Sequence, residues 1–498
     1  MDFVQNFPFF SIILSMFSGI ISSVLPKRAA KWVNTVMIIL VGIFSSILLF
    51  YMIGRGDSYT YMMGHFPAPW GNEIRIGVLE AGMALFFCII MILSLFGGRK
   101  KLDEEVEESK HSLYYILADL MLSSLLALVY TNDLFTAYVF VEINTIAACG
   151  LIMIRRNGRT IEAAVRYMIM SLLGSGMLLM GICMLYDLTG HLLMSNIHEQ
   201  VSALAVSGEY HVPLLVTIAL MSVGLAIKSA LFPFHAWLPD AYGYSTVSSA
   251  AILSSLVSKG YIFLLIKIIY RVIGIDVFDG SRIIDILFAF GLMGMIFGSL
   301  SAIKENDIRR MIAYSSVAQI GYIYMGIGMG TQAGMEASVF HILTHAATKS
   351  LLFIAAIGLT DVSGGSRKFI DLTGAAYRNK WAGVAFAVGS LSMVGVPLFS
   401  GFISKLLFAQ AAVQNHVKML PALIVLGIST VLNAIYFMKT VIRIYTPVEG
   451  TGSGEGVTFK NMKIYVVTLV CFIILNVFLG VSSQPVVNLI GQGLAMFS

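Results

Sequence analysis

Charged side chains are scarce in this sequence. Lys, Arg, Asp and Glu together make up 12% of the 498 residues, and hydrophobic residues make up 58%. About 25% charged residues is usual in soluble globular domains. The composition therefore excludes a soluble globular protein and predicts one that is embedded in a membrane.

Cysteine is also rare, and its pattern excludes two kinds of site. The four cysteines all lie inside apolar stretches, and no two of them form a Cys-x-x-Cys motif. Neither zinc and iron–sulfur sites nor disulfide frameworks have such spacing. We therefore expect no metal and no cofactor in this chain. A cleavable signal peptide is not expected either, because the first basic residue, Lys27, follows the first apolar stretch.

Long apolar runs make up most of the sequence. A transmembrane helix needs about 20 mostly apolar residues, and fourteen runs approach or exceed that length. They lie at about 8–25, 32–53, 78–97, 112–130, 133–154, 162–186, 213–233, 245–270, 283–303, 307–329, 336–360, 382–412, 419–442 and 464–485. The sequence thus predicts an all-α integral membrane protein with about fourteen transmembrane helices and no soluble catalytic domain.

Basic residues in the gaps between these runs indicate the topology. The seven odd-numbered gaps hold 20 Lys and Arg, whereas the six even-numbered gaps hold five. Basic loops stay in the cytoplasm, so we expect the odd gaps there and both termini outside. The net charge of +5 is then a topology signal and does not indicate nucleic-acid binding. Two polar segments, 97–111 and 450–456, are interpreted as solvated linkers.

Seven basic residues remain inside the apolar runs. They are Arg166, Lys228, Lys259, Lys267, Lys349, Lys405 and Lys439. An ionisable group in mid-membrane costs about 3 kcal/mol or more, so each needs an explanation. Arg166, Lys267 and Lys439 lie near run ends, where long side chains can extend to the lipid headgroups. Glu162 is also placed to pair with Arg166 at i,i+4.

The other four lysines lie deeper in their runs. Glu142 is the deepest acid, in the fifth run, and Asp119 in the fourth is a weaker candidate. One alternative is that these charges are structural ion pairs between helices. A deep charge on each of five helices favours a path for protons or cations instead.

The eleventh run carries three titratable groups in FHILTHAATKSLLF. Steps of four residues place His341, His345 and Lys349 on one helix face, which suggests a proton relay. The alternative is a metal site, because His-x-x-x-His can bind one ion. However, the glutamate of a His-Glu-x-x-His motif is missing and no third ligand is evident, so we expect no metal.

Prolines interrupt two of the charged runs. Pro233 follows Lys228 by five residues, and Pro397 precedes Lys405 by eight. Runs seven and twelve are five apart and cross in opposite directions, as inverted repeats require. We therefore predict two inverted five-helix repeats with discontinuous helices 7 and 12. The predicted division is 1–110 for helices 1–3, 111–272 for helices 4–8, 273–445 for helices 9–13, and 446–498 for a cytoplasmic loop and helix 14.

Four segments resemble a known family. They are LAIKSALFPFHAWLPDAYGYSTVSSAAILSSLVSKGYIFLLIK, KENDIRRMIAYSSVAQIGYI, FHILTHAATKSLLF and VGVPLFSGFISKLL. In this order they resemble the core of the proton-conducting antiporter-like subunits of respiratory complex I, Mrp-type Na⁺/H⁺ antiporters and membrane-bound hydrogenases. The resemblance covers about residues 110–445 and implies fourteen helices, with the seventh and twelfth discontinuous.

The resemblance also implies site residues. The translocation residues of the family correspond to Glu142, Lys228, Lys259, His341, His345, Lys349 and Lys405. Lysine at the last of these positions is similar to the Mrp-type D subunit, to hydrogenase subunits and to some complex I subunits. The sequence departs from the family where VFVE lacks the aromatic residue that often precedes the glutamate, and where GYSTVSS lacks a proline.

The function implied by the resemblance is translocation of protons, with Na⁺ as an open second ion. The implied partners are other membrane subunits, including further antiporter-like ones, in a bacterial or archaeal plasma membrane. No catalytic chemistry is expected in the chain, although the complex could be a redox-driven oxidoreductase. Two alternatives stay open: a proton-pumping subunit of an NADH:quinone oxidoreductase, and a free-standing cation-coupled solute carrier.

Overall fold

A computed structural model describes residues 3–66, 71–447 and 462–497. Within them, twelve helices are long and apolar enough to cross a membrane. Two more crossings complete the set: Ile308–Gly328, whose first turn carries two arginines, and a pair of short helices, Lys380–Val394 and Ser400–Gln414. With these two crossings the total is fourteen, which is the predicted number.

These crossings are called spans 1–14 below. In chain order they are Phe7–Val24, Lys27–Arg55, Val78–Glu105, His111–Tyr130, Leu134–Met153, Gly158–Thr189, His211–Lys228 with Leu238–Tyr244, Val247–Ile273, Ile283–Lys304, Ile308–Gly328, Gln332–Asp361, Lys380–Val394 with Ser400–Gln414, Met419–Ile444 and Lys463–Val481.

Shorter elements connect the spans or follow the last one. Two strands, β1 (Tyr59–Met62) and β2 (Glu73–Ile76), pair antiparallel between spans 2 and 3, with Tyr59 opposite Ile76. The short helices are Phe3–Asn6, Met63–His65, Glu108–Lys110, Met194–Ser207, Ile275–Gly280, Phe369–Leu372, Ala375–Arg378 and Ser483–Ala495.

One of the two predicted linkers is largely helical. Span 3 continues to Glu105, so the first part of the 97–111 segment is not a loop. Ion pairs stabilise this extension: Lys101 lies 2.8 Å from Asp361 of span 11, and Lys27 lies 3.2 Å from Asp103. Contacts with neighbouring spans therefore keep a highly charged segment helical. The other linker, 450–456, lies outside the described residues.

Two five-span units repeat the same packing pattern. Span 4 packs against spans 5 and 8, and span 9 packs in the same way against spans 10 and 13. Span 6 packs on span 7 as span 11 packs on span 12. Spans 7 and 12 are both broken, as predicted from Pro233 and Pro397. The first unit (spans 4–8) and the second unit (spans 9–13) are the predicted inverted repeats; the residue numbers chosen as their boundaries stay a prediction.

Spans 8 and 11 form the centre of the molecule. In the most apolar stretch of span 8 every residue is buried, and in span 11 the share is 94%. The corresponding shares in spans 2, 6 and 13 are 33–39%, so these spans form the periphery. Charged groups on spans 8 and 11 therefore do not face lipid and need partners within the protein.

Candidate ion-translocation site

The first charged pair joins spans 5 and 7. The ammonium of Lys228 lies 3.6 Å from a carboxylate oxygen of Glu142. The Lys228 side chain is fully buried, whereas that of Glu142 is 26% exposed. The Ser175 hydroxyl of span 6 donates a hydrogen bond to the same carboxylate oxygen. The structure thus brings two of the predicted site residues together, with the carboxylate reaching the protein surface.

Lys228 lies at the break in span 7. This lysine is the last residue of the first half-helix, and regular helix resumes only at Leu238. Its ammonium donates to the Thr145 hydroxyl at 2.8 Å and lies 5.3 Å from the centre of the Tyr261 ring. Its stem passes Gly174 of span 6, where a Cβ atom would approach the lysine to 3.0 Å. A larger residue at this glycine would therefore displace the lysine.

Lys259 lies further into the centre, on span 8. It closely follows the stretch Leu253–Val257, which forms a π-helical turn, and its ammonium donates to the Ser254 carbonyl of that turn. Such turns recur at functional sites. Among the described residues no carboxylate forms an ion pair with Lys259. Tyr261 on the same span lies 3.3 Å from Thr145, which links span 8 to the first pair.

One face of span 11 carries His341, His345 and Lys349, as predicted, and we call these three residues the stripe. The rings of His341 and His345 are parallel, with centres 5.9 Å apart, and both side chains are buried. His341 Nδ1 lies 2.6 Å from the Ser404 hydroxyl. Lys349 donates to the Ile312 carbonyl at 2.9 Å and to the Ser315 hydroxyl, both of span 10. Three titratable groups therefore line a single buried face.

Lys405 lies at the break of span 12. Its ammonium donates to the carbonyl of Val394, the last residue of the first half-helix, at 2.7 Å. It also donates to the Thr430 hydroxyl of span 13 at 3.0 Å. The C-terminal end of a helix carries partial negative charge, so this position favours a cation without a carboxylate.

Contacts connect the central groups. Spans 8 and 11 are joined by a hydrogen bond between the Ser255 and Ser350 hydroxyls, 2.8 Å apart. The Tyr322 ring stacks on His341 and lies 5.8 Å from the Lys405 ammonium. Neither ring nitrogen of His345 has a hydrogen-bond partner among the described residues. In the described part of the chain, no three His, Cys, Asp or Glu side chains converge as metal ligands. All seven predicted site residues therefore lie on packed spans between span 5 and span 12, and we call them the row; five are buried, and Glu142 and Lys405 are partly exposed.

Lys267 corrects a prediction made from the sequence. Its side chain was expected among the lipid headgroups, but the side chain is fully buried in the protein. Its ammonium donates to the carbonyls of Leu128, Val129 and Thr131 at 3.2, 2.9 and 2.5 Å, at the C-terminal end of span 4. Lys267 caps this helix end because the last carbonyls of a helix lack partners within the helix.

The side chains of Arg166 and Lys439 lie at the surface, as predicted. Lys439 is exposed near the end of span 13. The Arg166 guanidinium, which is half-exposed, lies 2.6 Å from Glu162 and also 2.9 Å from Asp240 of the second half of span 7. Both basic residues therefore lie at the surface and outside the row.

Asp119 is buried away from the row. Its carboxylate accepts hydrogen bonds from the Ser18 hydroxyl at 2.8 Å and the Asn34 amide at 2.5 Å, where spans 1, 2 and 4 meet. The structure also contains an ion pair that the sequence did not predict, between Glu80 and Arg271, 2.5 Å apart and both buried. Arg271 was expected in a loop. Glu80, an acid inside the third apolar run, was the feature of the sequence that could have indicated a buried basic partner.

The fold and the row together define a class of protein. Fourteen spans, two inverted units, two broken spans and buried lysines characterise an antiporter-like membrane subunit. Residues 131–432 match the family described as "NADH:quinone oxidoreductase/Mrp antiporter, TM". The chain belongs to this family, and all seven row residues lie within the matched region.

Individual relatives come from different complexes. The N subunit of an NADH-quinone oxidoreductase from Desulforudis audaxviator is 33% identical over 78% of this chain and 76% of its own. The D subunit of an Na(+)/H(+) antiporter from Alkalihalophilus pseudofirmus is 26% identical over 85% and 83%. A solved chain from the membrane-bound sulfane sulfur reductase, described as an archaeal respiratory membrane complex, aligns over 99% of this chain and 97% of its own, with a TM-score of 0.88 and 26% identity.

Proposed function

We propose that this chain carries protons across the membrane as one subunit of a multisubunit complex. The observation that supports this most directly is the Glu142–Lys228 contact, together with the row of bases that continues to Lys405. A set of purely structural ion pairs would give each buried lysine its own carboxylate. Among the described residues, Lys259, Lys349 and Lys405 form no ion pair and have neutral oxygen partners instead.

The pair at spans 5 and 7 is the part that can respond to a neighbouring subunit. A nearby carboxylate stabilises the protonated form of a buried lysine. When Glu142 moves away or is neutralised, Lys228 loses this stabilisation and can release its proton toward span 8. Because the Glu142 side chain is 26% exposed, a charge movement in an adjacent subunit could act on it directly.

The central groups would then pass the proton on. Lys259 receives it on its neutral amine, and the two histidines of span 11 carry it further, because imidazole exchanges protons near neutral pH. Lys405 is the last base of the row. Every step moves one proton between existing lone pairs and needs no cofactor, so redox chemistry in the parent complex would belong to another subunit.

The named relatives support two kinds of parent complex. An Mrp-type antiporter, or a complex of the hydrogenase type, is the first candidate, since the D subunit of an antiporter aligns over most of both chains. A redox-driven complex is the second, favoured by the 33% identity to the N subunit of an oxidoreductase. Either complex would supply further membrane subunits as partners. A free-standing solute carrier has no such support.

We further propose that the chain lies in a plasma membrane with both termini outside. The excess of basic residues in the odd-numbered gaps supports this orientation. The test is labelling of single cysteines by an impermeant reagent: Arg156→Cys from the cytoplasm only, and Ser207→Cys from outside only. Labelling of both from one face would contradict the orientation.

Transport in inverted vesicles tests the function itself. Glu142→Ala and Lys228→Ala should each abolish ΔpH formation while the complex still assembles, as checked on native gels. Removing one partner of a buried pair can cost about 3–5 kcal/mol, so transport must be normalised to assembled complex. The matched control is Glu162→Ala, which removes an exposed glutamate of span 6 that lies outside the row. Near-normal pumping by both row variants would refute the assignment.

A further inference from the structure

A second polar feature lies on span 13, facing spans 9 and 10. Ser429, Asn433, Tyr436 and Thr440 are all buried. Their spacing of four, three and four residues places them on one face of the helix. We call these four residues the span 13 column. Buried polar groups are costly in a membrane, and none of the four belongs to the row described above.

The column begins at a cavity at the end of the second unit that the proposed orientation places in the cytoplasm. The cavity has a volume of about 70 Å³, and Tyr436 and Thr440 of the column line it, together with Glu305, Asn306 and Arg443. A water molecule needs roughly 10–15 Å³ of such volume and two to four polar partners. The cavity can therefore hold several waters between the cytoplasm and Tyr436.

Hydrogen bonds continue inward from this cavity. The Tyr436 hydroxyl donates to the Asn433 side-chain oxygen at 2.5 Å. The Asn433 amide donates to the Tyr322 hydroxyl of span 10 at 3.5 Å, and the Ser299 hydroxyl of span 9 donates to Asn433 at 3.4 Å. Side chains from three spans thus converge on one buried asparagine.

The inner end of this chain meets the row. The Tyr322 ring stacks on His341 with centres 5.5 Å apart. The Lys405 ammonium lies 5.8 Å from the centre of the same ring. Tyr322 therefore contacts the last base of the row and the nearer histidine at once, while its hydroxyl points toward Asn433.

We propose that the span 13 column is a cytoplasmic proton entrance to the second unit. This entrance rests on the proposed function: it supplies protons to Lys405 and His341, while the Glu142–Lys228 pair stays the switch that drives their release. Protons pass inward along water that enters from the cavity, each water accepting one proton as it gives up another, and the last water places a proton on the lone pair of Lys405 or His341. Asn433 orients the bridging groups, because its amide can donate and accept.

Chemical accessibility tests the route without relying on transport. Thr440→Cys and Asn433→Cys are made one at a time in a variant whose Cys88, Cys149, Cys183 and Cys471 are alanine. The assembled complex in inverted vesicles is treated with a small, charged methanethiosulfonate. The control is Ser124→Cys, at a buried serine of span 4 whose hydroxyl is bonded to the Met121 carbonyl.

Both column cysteines should react at least tenfold faster than the control, and only from the cytoplasmic side. Modification of Thr440→Cys should also inhibit transport, because the reagent then occupies the entrance. Reaction rates equal to that of the control would overturn the route, as would reaction from outside only.

Transport measurements provide the second test. Asn433→Leu removes the amide at similar volume and should lower transport per assembled complex at least fivefold. Asn34→Leu, at an equally buried asparagine that contacts Asp119, should stay within twofold of the parent. Tyr436→Phe should give an intermediate loss, because it removes only the hydroxyl. Full transport by Asn433→Leu would overturn the entrance.

The two proposals fail in distinguishable ways. If Asn433→Leu transports normally and the column cysteines are inert while Glu142→Ala is inactive, the entrance is wrong and the proposed function stands. If Glu142→Ala and Lys228→Ala also pump normally, the proposed function itself is wrong.

Discussion

The two inverted units hold the lysine of their broken span in different ways. In the first unit, Lys228 ends the first half-helix of span 7, and its ammonium contacts side chains of spans 5 and 8. In the second, Lys405 belongs to the second half-helix of span 12 and reaches back to the end of the first. Only the Lys405 ammonium therefore lies at the negative end of a half-helix.

The units differ in what neutralises the lysine. Lys228 has the Glu142 carboxylate 3.6 Å away, whereas Lys405 has the carbonyl of Val394 and the hydroxyl of Thr430. Both ammonium groups also lie near a tyrosine ring, Tyr261 or Tyr322. A carboxylate can move or be protonated, but a backbone carbonyl cannot. Under the proposed function, the first unit is therefore the one that is switched, and the second holds and passes on a proton.

The largest expected effect comes from removing the base of the second unit. Lys405→Met should lower transport more than tenfold, because it removes the one lysine of the second half-helix of span 12, Ser400–Gln414. Assembly should persist, since the methionine fills a similar volume and frees only neutral acceptors. The measurement is ΔpH formation per assembled complex. Transport within twofold of the parent would mean that the second unit needs no base there.

The next effect separates proton relay from packing on span 11. His345→Gln keeps a polar side chain of similar size but cannot exchange a proton near neutral pH as imidazole does, so transport should fall several-fold at normal assembly. His345→Ala should harm assembly as well. Full activity of the glutamine variant, together with poor assembly of the alanine variant, would show that the stripe only packs.

A double-mutant cycle compares the electrostatics of the two units. Glu142→Gln and Lys228→Met, alone and together, should give a coupling energy of about 1–3 kcal/mol in thermal unfolding of the complex. The exposed side of Glu142 keeps this below the value for a fully buried pair. Ser315→Ala with Lys349→Met, in the second unit, should couple by about 1 kcal/mol. Equal coupling energies would remove the contrast between the units.

The smallest effect tests the neutral partners singly. Thr430→Val removes one hydrogen bond from Lys405 and leaves the Val394 carbonyl in place. Transport should fall at most about fivefold, because one neutral partner contributes about 1 kcal/mol. A loss as large as that of Lys405→Met would mean that the hydroxyl itself carries the proton.

Much of the site could be predicted because its residues are conspicuous in a membrane sequence. A lysine inside an apolar run is costly wherever the run packs, so Lys228, Lys259, Lys349 and Lys405 stand out without a structure. The one-face arrangement of His341 and His345 follows from helix geometry alone. Span 10 is recognisable too, although two arginines in its first turn lower its hydropathy.

The hydrogen-bond and ion-pair partners of the buried basic residues were harder to predict, because these partners come from distant parts of the chain. Lys267 looked like a lysine near a run end, yet its partners are the last carbonyls of span 4, more than 130 residues away. Arg271 looked like a loop residue, yet it pairs with Glu80. The span 13 column has no charge and so gave no signal; only a search for buried polar residues at helical spacing could have found it.

The sequence by itself determined the number of crossings, their breaks and the lysines and histidines of the row, because the cost of placing apolar and charged groups in lipid is local to each segment. Only the tertiary structure decided which lysine has a carboxylate, which one caps a helix, and which polar side chains of span 13 line a cavity. Those outcomes depend on which helix faces meet and on backbone carbonyls that every residue has, so no residue pattern records them.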